Sequence, residues 1–125
     1  YNAHPHFGEI APDLTAGRAV VIGNGNVALD VARILVSDPD VLAATDIADH
    51  ALESLHGRGV EEVLVVGRRG PLQAPFTTLE LRELGELEAL GDVDIVGDPA
   101  DLADITDDDL EAAGKTVRNN VKVLR

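Results

Sequence analysis

The chain contains no cysteine. That excludes a disulfide framework, a thiolate nucleophile, a thiolate zinc site, a cysteine-ligated iron–sulfur cluster and a redox-active cysteine pair. It has no apolar run of about 18 residues, so no membrane span is expected. No basic segment precedes an apolar one near the start, so no secretory signal is expected either. With the lack of thiols, this makes the cytoplasm the expected location. Positive charge is scarce: 10 Lys+Arg stand against 23 Asp+Glu, a formal net charge of −13. Nucleic acid is therefore not an expected partner, because a phosphate backbone calls for a basic footprint. The plain consequence of the acid is a well-solvated surface. The chain also lacks methionine and stops at Leu124-Arg125 inside a helical pattern. A segment of a longer protein is the expectation.

What is present suffices for one domain. There are 125 residues, 45% of them hydrophobic, which argues against wholesale disorder. Residues 1–17, with Pro5, Gly8, Pro12 and Gly17, read as a linker, leaving 18–125 as the domain. Ala19-Val20-Val21-Ile22 is a short, β-branched run of the kind found in buried parallel strands. Asn26 to Val36 places Val27, Val31, Ile34 and Leu35 at helical spacing, and residues 40–57 form a second helical stretch with Ala48, Leu52 and Leu55 on one face. Val60 to Val66 is a second strand. Thr77 to Leu90 is a helix carrying Leu81, Leu84 and Leu87, opened by the capping-box pattern Thr77-Thr78-Leu79-Glu80. Val93 to Val96 reads as a third, weaker strand, and the tail from Leu110 as helical. Strands alternating with helices imply an α/β fold, Rossmann-like, with a three-layer parallel sheet and flanking helices.

The strongest signal is the turn after the first strand, Gly23-Asn24-Gly25-Asn26-Val27-Ala28, which reads G-x-G-x-x-A between a strand and a helix. Gly23 permits a tight turn, Gly25 lets a pyrophosphate approach the backbone, and Ala28 keeps the helix close to the sheet. Backbone N–H groups and the helix dipole would hold the anion. The alternative is an ordinary glycine-rich strand-to-helix turn. In such folds an acidic residue after the second strand selects NAD. Here that turn carries Arg68-Arg69 instead, and a guanidinium pair suits a 2′-phosphate. The pattern points to NADP(H), the alternative being two solvated loop residues.

Three stretches, Gly23 to Leu35, Gly67 to Gln73 and Phe76 to Leu84, closely resemble the adrenodoxin-reductase-type ferredoxin–NADP reductases, bacterial members above all. Tyr1-Asn2-Ala3-His4-Pro5 and Thr45 to Ala48 add to the resemblance. It implies the NADP(H)-binding domain of a two-dinucleotide flavoprotein, which passes hydride from NADPH to FAD and then electrons to a ferredoxin. The family's FAD-binding glycine motif is absent from this chain, so the chain alone would bind NADP(H) without reducing anything. By resemblance, Gly23, Asn24, Gly25, Asn26 and Val27 would bind the pyrophosphate, Arg68 and Arg69 the 2′-phosphate, and Glu80 would also touch the nucleotide. Glu80 could equally just close the capping box. Glu83, one turn further on, is the candidate catalytic residue, shaping the field around hydride transfer. A non-catalytic NADP-sensing module and the NADP domain of another flavoprotein remain the alternatives.

The tail spaces Lys115, Arg118, Lys122 and Arg125 along one side of a helix. These are either cations complementing a helix dipole or a docking face for an acidic ferredoxin. No metal site is expected: His4 and His6 lack a third ligand, His50 and His56 read as surface residues, and Asp107-Asp108-Asp109 lacks the spacing of a calcium loop.

Overall fold

The computed structural model describes residues 5–7, 9–10, 12–91 and 93–124. Tyr1 to His4 and Arg125, which carry part of the resemblance, one half of the histidine pair and one end of the cationic row, lie outside the described residues. The β-branched run forms β1 (Arg18–Ile22), which pairs in parallel with β2 (Glu62–Val66), in register from Arg18 opposite Glu62 to Ile22 opposite Val66. Because the pairing is parallel, both strands end side by side. Gly23 N–H extends the ladder by donating to the Val66 carbonyl at 2.8 Å. The two turns read as functional therefore leave the sheet together.

Between the strands lie α1 (Asn26–Val36), a single-turn α2 (Pro39–Leu42) and α3 (Asp49–His56). The stretch read as one helix over 40–57 is thus two. Residues 43–48 form turns and extended chain between them. On α1 the expected inward stripe was Val27, Val31, Ile34 and Leu35. The structure buries Ala28, Leu29 and Ala32 instead and leaves Val27 78% exposed. Small side chains let the helix backbone approach the sheet closely. The two valines are displaced to the flank, where they line a cavity. Arg58 supports the C-terminal end of α1 by donating to the Val36 carbonyl at 3.4 Å, a placement the helix dipole favours.

After a single 3₁₀ turn (Pro71–Gln73), α4 (Thr78–Ala89) starts where the sequence pattern put it, with Thr77 as N-cap. Leu81 joins Leu29, Ala74 and Phe76 in the buried cluster, with Leu84 packed against it. The core thus sits between α1, α4 and the loop leading into α4. Val93 to Val96 was expected as a strand, but no strand forms there among the described residues, and the sheet they form has two strands. The Ile95 N–H, which a ladder would use, donates to the Glu88 carboxylate at 3.2 Å, and Val96 is 89% exposed. A four-residue run interrupted by Asp94 has little to gain from pairing.

The remaining chain is helical: α5 (Ala100–Ala103), α6 (Asp107–Ala112) and α7 (Lys115–Leu124). Thr106 and Asp109 complete a reciprocal capping box at the start of α6. The Thr106 hydroxyl and backbone N–H hold the Asp109 carboxyl below its usual value. That support is present above the ordinary carboxylate range and is lost as pH falls through the lowered value. The helix α7 buries Asn120 and Val121 against the loop before α4. Arg118 donates to the Glu111 carbonyl of α6 at 3.4 Å, so this cation of the tail complements a helix C-terminus, that of its neighbour. The Lys122 side chain lies outside the description.

Candidate functional site

The glycine turn is built as its sequence requires. Gly23 has φ +122°, a conformation that side chains with a Cβ rarely adopt. Gly25 caps α1 with no side-chain hydrogen bond to the first turn, leaving that helix start open. A Cβ at Gly25 would meet only the Pro75 side chain, at an ordinary 3.7 Å. The protein itself therefore does not demand a bare residue there. The space in front of it belongs to a cavity of about 500 Å³, lined by Gly23, Gly25, Asn26, Val27, Val31 and Pro75 among others. An open helix N-terminus facing such a space suits an anion.

Two further segments close around this turn. Gly67, the residue before Arg68, lies directly against the Asn24 side chain. Asn26 Oδ1 accepts the Thr77 N–H at 2.7 Å, tying the glycine turn to the start of α4. On the far side, the buried Asn120 donates to the Phe76 carbonyl at 2.9 Å and accepts from the Thr78 hydroxyl at 2.6 Å. The three stretches singled out in the sequence thus meet at one place.

Arg68 and Arg69 are exposed and make no hydrogen bond or ion pair among the described residues. Glu80 donates its N–H to the Thr77 hydroxyl at 3.5 Å, half of the capping box expected there. Its side chain lines a second, smaller cavity of about 300 Å³ with Asn26, Val27, Asp30, Arg33 and Glu83. Arg33 dominates that space. It bridges Asp30 on its own helix and Glu83 on α4, the latter at 3.0 Å. The hydrogen bond that Arg33 donates to the Asp30 carboxylate raises its guanidinium above its ordinary value, against some burial, with Asp30, Glu83 and Glu80 adding their charge. Glu83 is therefore held by a cation that ties α1 to α4.

Arg33, Asn120 and the Asn24–Gly67 contact are parts of the site that the residue patterns did not single out. A lone Asn in an amphipathic helix carries no signal of its own partner. Arg33 and Glu83 belong to helices far apart in sequence. Among the described residues, no group of three His, Asp or Glu side chains could hold a metal ion.

Fold and site define a class: a parallel α/β unit whose first strand runs through a bare glycine turn into an open helix start, beside a cationic turn. No family model matches the chain. It is 70% identical, over all 125 residues, to NADPH-ferredoxin reductase FprA of Mycobacterium tuberculosis, of which it covers 27%. It is 50% identical over its whole length to the mitochondrial NADPH:adrenodoxin oxidoreductase of Bos taurus, covering 25% of that protein. The solved structure of Mycobacterium tuberculosis FprA in complex with NADPH matches all of this chain with a TM-score of 0.91, and the chain covers 27% of it. The chain is therefore related, from end to end, to one stretch of the adrenodoxin-reductase-type ferredoxin–NADP reductases. It spans about a quarter of the length of these relatives.

Proposed function

We propose that this chain is the NADP(H)-binding domain of an FAD-dependent ferredoxin–NADP reductase. The observation that carries the reading is the pair of guanidiniums at the end of β2, without a partner among the described residues, beside the open glycine turn at the end of β1. A relative 70% identical to this chain has been solved with NADPH. The residues fit the nucleotide. The N–H groups of Gly25 to Val27 lie at the uncapped start of α1 beside the larger cavity, where the pyrophosphate would lie. Arg68 and Arg69 would donate to the 2′-phosphate. Asn24 and Asn26 supply backbone to the turn, and the Asn26 side chain fixes the approach of α4. Glu80 would reach the nucleotide from the second cavity. Glu83, restrained by Arg33, would set the local field on the side where the nicotinamide meets its acceptor.

The domain begins at residue 18, and residues 1–17 connect to it. The end of this connection runs along the domain, where the Leu14 carbonyl accepts from Gly59 N–H at 2.8 Å and the Gly17 carbonyl accepts from Glu61 at 2.8 Å. The full sheet is Rossmann-like and three-layered in this reading. Support comes from the outward face of the two strands, where Val20, Ile22, Leu64 and Val66 remain exposed although parallel sheets are normally covered on both faces. Further chain of the full-length protein would cover that face, hold FAD and complete the enzyme. With both groups bound, the enzyme would have the chemistry for hydride transfer from NADPH to FAD and for single-electron delivery to a ferredoxin, an iron–sulfur protein. The cytoplasm is the compartment we assign, while the bovine relative is named as mitochondrial. No helix among the described residues is long and apolar enough to cross a membrane.

The test is anaerobic mixing of the full-length protein with NADPH and with NADH while flavin absorbance is followed. NADPH should bleach the flavin, NADH should do so more weakly, and an added ferredoxin should restore the oxidised spectrum. Binding of NADPH with no bleaching would mark a sensing module instead.

A further inference from the structure

Gly67 is unusual in its reason for being glycine. It is not among the glycines at positive φ, so no backbone strain explains it. Its place is set by a neighbour. A Cβ built there would collide with Asn24 Nδ2, and would lie 2.7 Å from Asn24 Cγ and 3.2 Å from Asn24 Cβ. The Asn24 amide makes no hydrogen bond among the described residues, so it meets Gly67 as a spacer. The contact joins two specific points. Asn24 sits between the two glycines of the anion-binding turn, and Gly67 is the residue from which Arg68 and Arg69 depart. Among the described residues, the hydrogen bond between these turns is the backbone one from Gly23 N–H to the Val66 carbonyl at 2.8 Å. That bond fixes the strand ends and leaves the direction of the arginine turn open.

The separation of the two turns matters chemically. In a 2′-phosphorylated dinucleotide, the pyrophosphate and the 2′-phosphate are joined by a short covalent frame. Two anion sites can both be filled only if their spacing matches that frame. A dinucleotide without the 2′-phosphate imposes no such demand. We propose that Asn24 is a positioning residue for cofactor preference: its amide, seated on the bare backbone of Gly67, holds the Arg68–Arg69 turn at the spacing a 2′-phosphorylated dinucleotide needs. This rests on the assignment of Arg68 and Arg69 to the 2′-phosphate, and it adds a determinant that does not itself touch that phosphate.

A steric contact of this kind can be broken from one side and repaired from the other. In the full-length protein, Gly67→Ala should push Asn24 and the arginine turn apart. NADPH affinity should fall about tenfold and NADH affinity by less than about twofold. Adding Asn24→Ala removes the amide and leaves one tight Cβ contact, which a small backbone shift relieves. The double variant should regain part of the NADPH affinity that Gly67→Ala alone loses, about threefold or more, so the two changes are non-additive. NADH affinity, measured in parallel, reports whether each variant is folded. A purely structural contact would lower both affinities together. If Gly67→Ala weakens both nucleotides equally, or neither, or if Asn24→Ala brings no recovery, the spacer role is wrong. Arg69→Ala, run alongside, separates the two ideas. If it narrows the gap between nucleotides while Gly67→Ala does not, the phosphate assignment stands and the spacer falls. If Arg68→Ala and Arg69→Ala both leave the gap intact, the assignment and the spacer fall together.

Discussion

Replacing Arg68 or Arg69 by alanine is expected to weaken NADPH binding by about 10- to 150-fold and to leave NADH affinity almost unchanged. The two cofactors differ by a single 2′-phosphate, so a preference between them must be expressed at that phosphate. The turn after β2 places two guanidiniums beside the glycine turn, and neither is committed to a carboxylate among the described residues. A charge-assisted hydrogen bond of this kind contributes roughly 1.5–3 kcal/mol, which sets the expected range. Both side chains are exposed, so the interaction is screened. Raising salt from low to high should shrink the NADPH preference of the unmodified protein and have little effect on the alanine variants. Paired titrations with the two nucleotides provide the measurement. A lysine at either position should recover only part of the loss, because it keeps the charge without the planar fork.

Asn120→Ala should cost about 2–4 kcal/mol of stability, a large effect for a residue outside the cavity. Asn120 is 1% exposed, and its amide satisfies the Phe76 carbonyl and the Thr78 hydroxyl at once. Truncation leaves both without a partner in a buried place and opens a small void. The damage should be local as well as global, since this amide hydrogen-bonds α7 to the segment leading into α4. Amide hydrogen exchange across residues 76–84 should accelerate well beyond that of β1 and β2. Thr78→Val should cost less, because the Phe76 carbonyl keeps its donor. An unchanged urea midpoint and unchanged exchange in Asn120→Ala would show that α7 is not what orders this loop.

Much of this arrangement could be read from the sequence because it is local. Gly23, Gly25 and Ala28 mark a strand-to-helix turn whose spacing is dictated by neighbouring residues. Thr77 announces the start of α4 within its own first turn. The features that escaped are those in which two distant segments decide the outcome. Val27 and Val31 have the helical spacing of a buried stripe. Which stripe of α1 faces inward depends on how closely the helix approaches the sheet, and the alanines win that contest. Val93 to Val96 looks extended, yet a strand exists only where a partner offers hydrogen bonds, and Glu88 takes the N–H of Ile95 first. Arg33 with Glu83, Asn120 with Phe76, and Asn24 with Gly67 are all pairs whose members give no local sign of each other. The Thr106–Asp109 capping box did have a local signal, a Thr followed three residues later by a short acid, but it was masked by the surrounding run of aspartates.

The most direct test of the account is a crystal structure of the full-length protein with NADP⁺ bound. The pyrophosphate should lie against the backbone N–H groups of Gly25 to Val27, and the 2′-phosphate within hydrogen-bonding reach of the Arg68 and Arg69 guanidiniums. A 2′-phosphate bound by other residues, with Arg68 and Arg69 still pointing into solvent, would contradict it.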